Sequence, residues 1–429
     1  MMSSRGRTLR RRVAPLLLLA LAGCAGARDY GAAIDDPQAL PATSEIARRT
    51  NYAAYHWLRP SGPYGDAVAA RIEDLRKAPM SEAAAVEVAL LNDAAVQERL
   101  QEHDALRAGF VQELAARAEA SVRNDGPSVD WLLVGRTIAW PRFVADDSGE
   151  EGEREPVGIW DRDFAQGYLE LAGTVLAKAE AARRAWYDAV AAGRLAAMQE
   201  RVLEAGKAAA ELANEQYRAG TLSRLDQARE QLAYAETHKE AAEARQRALE
   251  AREVLNRELL LHGGQTAWVL PELLPELPPE RPVVADPEAL VLREGVEAVA
   301  ARGEAGSFGK GVALRSEARE AYAAMLTAYD LARFQRDAVL PASRALLEEQ
   351  QLHYNAMLED VYDLLEAARE RIAAEREAVE ALAGFWKARA RFARLAGGRL
   401  PAPPATTAAP PATPVPTAAA THRPEESHP

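Results

Sequence analysis

The segment QYRAGTLSRLDQARE at 216–230 interrupts a long region whose alanine, leucine, glutamate and arginine content otherwise favours an unbroken helix. Gly220 can adopt the positive φ that ends a helix, and Ser223 can cap the helix that follows. Asp226 stands three residues after Ser223, where a short carboxylate can approximate a capping box. The pattern predicts an antiparallel hairpin of two long helices joined by a tight turn.

A second segment, HYNAMLEDVYDLLEA at 353–367, has a related pattern. Tyr354 and Asp363 stand at the same separation as Tyr217 and Asp226, and both pairs are offset by 137 positions (354 − 217 and 363 − 226). Two related interruptions predict that the hairpin is repeated.

The two segments differ at one position of the turn. Met357 stands where the first segment has Gly220, and Ala356 lies beside it. Asn355 is the residue there that tolerates the left-handed conformation most cheaply. We therefore expect a second turn of different form, with Asn355 as its left-handed residue.

Long helical arms are predicted on both sides of each turn. They cover residues 161–217, 223–261, 312–353 and a fourth stretch that ends at 395. Glycine pairs, Gly263-Gly264 and Gly397-Gly398, are predicted to end the second and fourth arms, and Pro341 to bend the third. A further helix is predicted from Ser81 to residue 120.

Apolar residues within the arms recur at alternating steps of four and three, which keeps one seam facing a neighbouring helix. They are Val175, Ala179, Ala182 and Trp186 in the first arm and Ala318, Tyr322, Met325, Tyr329 and Ala332 in the third. The predicted fold class is mainly α, with two repeats of long antiparallel helical hairpins of the α-barrel coiled-coil type. The window 129–140 leans towards β structure, so a small, incomplete β-strand portion is expected as well.

The N-terminus indicates export. Five arginines precede the apolar run 13–21, and the run is too short to span a bilayer as a helix, as in a secretory signal peptide. Cys24, the one cysteine, follows Leu-Ala-Gly and resembles the lipobox of bacterial lipoproteins, in which the cysteine carries lipid on its sulfur and its new N-terminus. Ala25 is not the aspartate that retains such lipoproteins at the inner membrane, which favours the outer membrane. The alternative is an ordinary signal peptide with a chance cysteine.

These patterns predict six regions along the chain. They are a lipoprotein signal peptide (1–23), an N-terminal leader (24–79), a first repeat (80–264), a proline-rich linker (265–286), a second, truncated repeat (287–398) and a disordered tail of proline, alanine and threonine (399–429).

The order of these features resembles the TolC-like outer-membrane efflux family. The tip Tyr-x-x-Gly that begins at Tyr217 and ends at Asp226 matches the family's periplasmic tip pattern, and the segments 85–92, 315–322 and 329–333 resemble its helices, the last two in the heavy-metal-efflux-like branch. The likeness covers about residues 80–398, and it is the order and spacing of the motifs that carry it.

The resemblance implies a passive export duct. In that family three chains form a shared outer-membrane β-barrel and a hollow periplasmic α-barrel, whose tips meet a periplasmic adaptor and an inner-membrane pump. It implies a lipid-anchored outer-membrane protein, mostly in the periplasm, and a homotrimer. The residues that it places at the tip and adaptor contact are Tyr217, Gly220, Ser223, Asp226, Tyr354, Asn355 and Asp363, with lipidation at Cys24.

Two departures from the family pattern concern the membrane portion. Only residues 287–311 lie between the linker and the third arm, where the family has a long helix and a strand pair. One β-leaning run is present where two membrane strands are expected. The alternative function is therefore a degenerate, non-channel periplasmic coiled-coil lipoprotein that acts as a scaffold or accessory.

Other classes of function find little support in the sequence. The formal net charge is −12, with basic and acidic residues interleaved, which argues against nucleic-acid binding. The seven histidines are scattered, GSFGKG at 306–311 lacks phosphate-loop spacing, and no nucleophile motif occurs, so we expect no cofactor, no metal and no enzyme. Asp226 and Asp363 have two interpretations, helix caps or an acidic ring at a channel mouth.

Overall fold

The computed structural model describes residues 63–99, 159–300, 307–398 and 400. The predicted signal peptide, Cys24, most of the leader, the β-leaning window 129–140 and nearly all of the tail lie outside these residues and stay predictions. The prediction of a mainly helical fold built on long hairpins is confirmed. No strand is present in the part of the chain that is described.

Nine α-helices make up most of the described chain. They are α1 Pro63–Lys77, α2 Glu82–Asn92, α3 Ile159–Arg218, α4 Arg224–Glu258, α5 Pro287–Glu294, α6 Val296–Ala300, α7 Ser307–Phe334, α8 Leu340–Asn355 and α9 Val361–Leu395. A short 3-10 turn spans Gly263–Thr266, and residues Gln335–Val339 form a π-helical segment between α7 and α8. None of the helices in these ranges is long and apolar enough to cross a membrane.

The helix that begins after Ser81 is shorter than predicted. Ser81 caps it as expected, but the helix ends at Asn92 because Asp93 adopts an extended conformation. The Asp93 carboxylate accepts two backbone N–H groups of the next turn, so it starts a new helix over 94–99. The prediction of one continuous helix to residue 120 is therefore wrong, since a short carboxylate can compete for backbone donors within a helical sequence.

The first hairpin consists of α3 and α4, whose lengths are 60 and 35 residues. At 1.5 Å per residue α3 is about 90 Å long. Small residues let the two helices approach closely: Ala241 and Ala244 are buried, and a Cβ added to Gly206 would lie 2.9 Å from Thr237 Oγ1.

The second hairpin repeats the first in register. Helix α9 has the same length as α4, 35 residues, and their first residues, Val361 and Arg224, are 137 positions apart (361 − 224). Both helices end on a left-handed residue at the same offset, Leu260 with φ 54° and Gly397 with φ 72°. Gly398 N donates to Ala393 O at 2.7 Å, and the equivalent bond joins Leu261 N to Asn256 O at 3.0 Å.

One predicted arm end needs correction. The second arm ends at Glu258, and Leu260 takes the left-handed position that the sequence suggested for Gly263-Gly264, which lie in the 3-10 turn. The fourth arm ends at Leu395, as predicted, and is as long as the second.

At Pro341, where the sequence predicts a bend, the third arm changes helix type. Leu340 N donates to Gln335 O, five residues earlier, which is a π-type bond. A proline lacks the N–H of an α-helix and clashes with the carbonyl one turn before it. The π segment Gln335–Val339 supplies the extra residue that accommodates the ring.

The four long arms lie side by side as an open row. Helix α4 packs on α3, α3 packs on α9, and α9 packs on both α7 and α8. Within the described ranges α4 therefore forms one edge of the row, and α7 with α8 forms the other.

Ion pairs and hydrogen bonds join the two hairpins along the α3–α9 contact. At the base, Arg394 contacts Glu180 of α3 at 2.8 Å and also Glu297 of α6 at 2.9 Å. Further along, Lys387 Nζ lies 2.6 Å from Asp188 Oδ1. These contacts fix the register between the repeats.

Each repeat has its own apolar cluster at the base of the row. One cluster lies among α1, α2, α3 and the end of α4, where Trp186 Nε1 donates to Met80 O at 2.8 Å and Asn92 Nδ2 donates to Leu259 O at 2.8 Å. The other lies among α5, α7 and α9. Trp386 packs against both clusters and so connects them.

The proline-rich linker lies as a strap over the second repeat. Trp386 Nε1 donates to Pro275 O at 2.9 Å, and Tyr329 Oη donates to Pro278 O at 3.1 Å. Prolines leave carbonyl groups free to accept while providing no N–H that needs a partner. The strap therefore covers the buried Tyr329 and the partly buried Trp386 without burying unpaired donors.

The close approach of α3 and α4 gives a first prediction. Gly206→Ala should lower the free energy of unfolding by about 1–3 kcal/mol relative to Gly193→Ala, because its Cβ would overlap Thr237. Gly193 is the matched control, since a Cβ there meets no described atom within 4 Å. Urea unfolding in detergent measures both, and adding Thr237→Ala should restore most of the loss; equal stability of the two alanine variants would contradict close packing.

Candidate functional site

The first tip joins α3 to α4 through a left-handed glycine. Gly220 has φ 76°, and its N–H donates to Tyr217 O at 3.0 Å. Thr221 N donates to Gln216 O at 2.9 Å. This is a Schellman-type end of α3, which satisfies the last carbonyl groups of the helix.

Ser223 and Asp226 start the next helix. Ser223 Oγ accepts from Asp226 N at 3.1 Å and donates to Asp226 Oδ2 at 2.6 Å. Asp226 also pairs with Arg229 at 3.0 Å. The cap exists as predicted, but the Asp226 carboxylate bonds the hydroxyl of Ser223 and not its backbone N–H.

The second tip has the same backbone geometry as the first. Met357 has φ 60°, and its N–H donates to Tyr354 O at 3.0 Å. Leu358 N donates to His353 O at 3.0 Å. These bonds are those of Gly220 and Thr221 displaced by 137 positions (357 − 220 and 358 − 221).

The expectation for Asn355 was therefore wrong. Asn355 is the last residue of α8, and Met357 takes the left-handed conformation. A methionine in this conformation is strained by roughly 1 kcal/mol, because its Cβ lies close to a carbonyl oxygen. The repeated hydrogen-bond pattern of the turn decides the conformation, and the residue type does not.

Helix α9 begins with a complete capping box. Asp360 Oδ1 accepts from Asp363 N at 3.1 Å, and Asp363 Oδ2 accepts from Asp360 N at 3.1 Å. Asp360 stands 137 positions after Ser223. The capping interpretation of Asp226 and Asp363 thus describes their contacts within this chain.

A hydrogen bond joins the two tips. Tyr362 Oη donates to Gln216 Oε1 at 2.7 Å. Partial burial, with the charges of Glu230 and Asp360 nearby, raises the pKa of the Tyr362 phenol above its usual value. The phenol therefore stays protonated and able to donate at neutral pH.

Side chains brace the second tip from within α8. Glu359 accepts a hydrogen bond from Gln350 Nε2 and lies 3.3 Å from His353 Nδ1. The two tyrosines of the predicted site, Tyr217 and Tyr354, are 40% and 39% exposed, so they occupy equivalent places. Met357 is 93% exposed.

The structure thus gathers the predicted tip residues at one end of the row and adds others. Asp360, Tyr362 and Gln216 were not predicted to take part. The offset of 137 positions could have indicated Asp360 as a helix cap, because it aligns Asp360 with Ser223. No pattern in the sequence indicated the pair Tyr362 and Gln216, because it depends on how the two hairpins pack.

The tips bear no sign of metal chemistry. No group of three or more His, Cys, Asp or Glu side chains that could hold a metal ion occurs among the residues described. What the tips present to solvent is a set of polar, aromatic and apolar side chains on two rigid turns.

The fold and the tips together define a class: a chain of two repeated long helical hairpins, arranged in an open row with both turns at one end. A comparison with protein families finds no family that matches the sequence. A comparison with curated proteins finds no matching relative.

Solved structures show some similarity in fold. The CmeC outer membrane channel of Campylobacter jejuni is 11% identical over 56% of this chain and 66% of CmeC, with a TM-score of 0.42. A membrane protein from Pseudomonas aeruginosa is 13% identical over 76% of this chain and 90% of its own, with a TM-score of 0.48. CusC is 11% identical over 78% of this chain and 96% of its own, with a TM-score of 0.44. Because these TM-scores are below 0.5, the three matches show similarity only and do not assign this chain to a family.

The equivalence of the two tips gives a second prediction. Gly220→Ala should lower the free energy of unfolding by about 1 kcal/mol, because alanine is strained at positive φ. Met357→Gly should leave it unchanged or raise it by up to about 1 kcal/mol, since released strain offsets the greater freedom of glycine in the unfolded chain. Urea unfolding compares the two, and a large loss in Met357→Gly would contradict the strained turn.

The bond between the tips gives a third. Tyr362→Phe should increase hydrogen exchange at both 214–222 and 360–364, because about 1 kcal/mol of hydrogen bonding between the hairpins is lost. Tyr354→Phe is the matched control, since that tyrosine is exposed on the same tip. Exchange followed by mass spectrometry reads both tips, and faster exchange at one tip alone would argue against a bond between them.

Proposed function

We propose that this protein is the outer-membrane duct of a tripartite export system, a passive channel built from three copies. The observation that carries the proposal is that both edge arms of the open row have an unpartnered apolar seam. A water-filled barrel of helices needs such edges, since each copy must pack on the next.

The first edge seam runs along α4. Its members are exposed and follow the steps of three, four and seven residues typical of a coiled coil. They are Leu225, Ala228, Leu232, Ala235, Ala242 and Leu249. At 100° per residue the seam lies roughly opposite Thr237, Ala241 and Ala244, which α4 buries against α3.

The second edge seam runs along α7 and α8. Its exposed members are Ala324, Leu331, Phe334, Ala338, Ala345 and Leu352. This seam lies roughly opposite the buried stripe that α7 packs on α9, which contains Ala318, Met325 and Tyr329. Each edge arm is thus built to have a helix on both sides.

The two edges complement each other. Helix α4 runs away from the tips and α8 runs towards them, so α4 of one copy would lie antiparallel to α7 and α8 of the next, as within the row itself. A contact between two different surfaces propagates from copy to copy and ends only when the ring closes. Copies that share one orientation in a membrane would close such a ring.

Three copies give a bore of useful width. Twelve arms spaced about 9–10 Å apart form a circle of axes about 35 Å across. Subtracting about 10 Å for the helices themselves leaves a bore of about 25 Å. Exposed charged residues flank the α4 seam on one side, which suits a wetted wall: Arg229, Glu236, Glu243, Arg247 and Glu250.

The remaining parts have places in this proposal. Cys24, lipidated after removal of residues 1–23, anchors the base of the row to the outer membrane, and the arms lie in the periplasm. The tips, with Tyr217, Gly220, Ser223, Asp226, Tyr354, Asn355 and Asp363, contact a periplasmic adaptor that connects the duct to an inner-membrane pump. The protein performs no catalysis and requires no cofactor.

A second candidate function is a non-channel scaffold lipoprotein with the same hairpins. The observation that favours it is the short stretch between the linker and the third arm, where α5, Pro287–Glu294, and α6, Val296–Ala300, are only 8 and 5 residues long. Planar-bilayer conductance separates the two, because a scaffold conducts no ions.

Cysteine cross-linking tests the ring and gives a fourth prediction. Leu232→Cys and Ala345→Cys, combined in one chain, lie on opposite edges and each about 15 Å from its tip. In intact cells, oxidation should join copies into dimers and closed trimers, because the two edges face each other in the ring. Denaturing electrophoresis without reductant measures the products.

The single variants Leu232→Cys and Ala345→Cys are the matched controls, because either cysteine alone lacks its partner on the opposite edge and should cross-link poorly. A ladder of products beyond the trimer, or cross-links equal to those of the single variants, would contradict a closed ring. A trimer that conducts no ions would favour the scaffold.

A further inference from the structure

The second tip presents an apolar knob that the turn does not require. Met357 is 93% exposed and Leu358 is 72% exposed, at the end of the molecule farthest from both apolar clusters. The turn itself is made by backbone bonds, and Gly220 forms the same turn without a side chain. The Met357 side chain therefore strains the backbone and contributes little packing in return.

The other left-handed non-glycine residue in the described chain is different. Leu260, at the base, is 45% exposed, so about half of its side chain is covered by its own chain. Packing can offset strain at Leu260. At Met357 the described residues supply no such offset.

The charge around the second tip restricts what that contact can be. The window 345–368 holds six acidic residues and no lysine or arginine, whereas the equivalent window 208–231 holds four acidic residues and three arginines. The six are Glu348, Glu349, Glu359, Asp360, Asp363 and Glu366. An anionic lipid surface would repel this tip, and a basic protein surface would attract it.

We propose that Met357 and Leu358 insert into an apolar pocket of a partner protein whose rim carries lysine or arginine, and that this contact makes the second tip the specificity determinant for docking. The inference rests on the proposed function, in which that partner is the periplasmic adaptor. Burial of the Met357 and Leu358 side chains in the pocket contributes affinity, and the surrounding carboxylates set the orientation and the rate of encounter. The first tip, with Gly220 and a balanced charge, contributes shape without an apolar anchor.

The test measures the affinity of the full chain, in detergent, for the purified periplasmic adaptor from the same cells. Met357→Gly should weaken binding at least about tenfold, the effect of removing one buried apolar side chain. Its melting temperature should not fall, because glycine suits the left-handed turn. A purely structural role for Met357 would move stability and leave affinity unchanged.

Two further variants complete the test. Leu273→Ala removes a side chain that is 63% exposed on the linker strap, away from the tips, and should bind as the wild type does. Glu348→Gln combined with Glu349→Gln and Glu366→Gln should weaken binding at low salt and flatten its dependence on salt concentration. These carboxylates lie outside the caps of α9, so the fold is preserved.

The outcomes separate this inference from the proposed function. If the wild type forms the trimer and binds the adaptor but Met357→Gly binds equally well, the inference is wrong and the proposed function stands. If the wild type does not bind the adaptor, both are overturned. If a photoreactive residue at Leu358 labels lipid and no protein, the docking of the knob on a protein is contradicted.

Discussion

The alanine-rich contact between α3 and α4 is the constraint on which the rest of the structure depends. Gly206, Ala241 and Ala244 let two helices lie close together over a long distance, but small residues bury little apolar surface. A lone hairpin of this kind is thin, and each arm must gain a neighbour on its other side. Within the described chain α3 packs extensively on α9, whereas no second long arm packs to a comparable extent on α4. The exposed seam on α4 is the physical consequence, and it supports the proposed association with another copy.

The repeat is kept as a pattern of backbone geometry and not as a pattern of residue types. The left-handed positions at the tip are Gly220 and Met357, and those at the base are Leu260 and Gly397. In the first hairpin glycine occupies the left-handed position at the tip, and in the second hairpin it occupies the one at the base. Equal helix lengths and equal hydrogen bonds hold each turn in place, so one substitution there changes stability without changing the turn.

Much of this architecture could be predicted from the sequence, because hairpin tips depend on local chemistry. Both turns and the four arms could be predicted from Gly220, Ser223 and the offset of 137 positions between the tips. Predictions failed where several weak local preferences compete, as at Asp93, which ends a helix in a sequence that otherwise favours one. They also failed at Met357 and Leu260, since tertiary context imposes positive φ on residues that disfavour it. The bond between Tyr362 and Gln216 joins positions 146 apart in the chain, and only the packing of the hairpins reveals it.

We propose that open rows associate edge to edge into a closed tube. End-on cryo-electron microscopy projections of the protein in lipid nanodiscs test it most directly, since they count the arms around the axis. The account predicts three-fold symmetry, twelve helices and a central bore of about 25 Å. Particles that hold a single row of four arms, or rows stacked face to face with no bore, would contradict it.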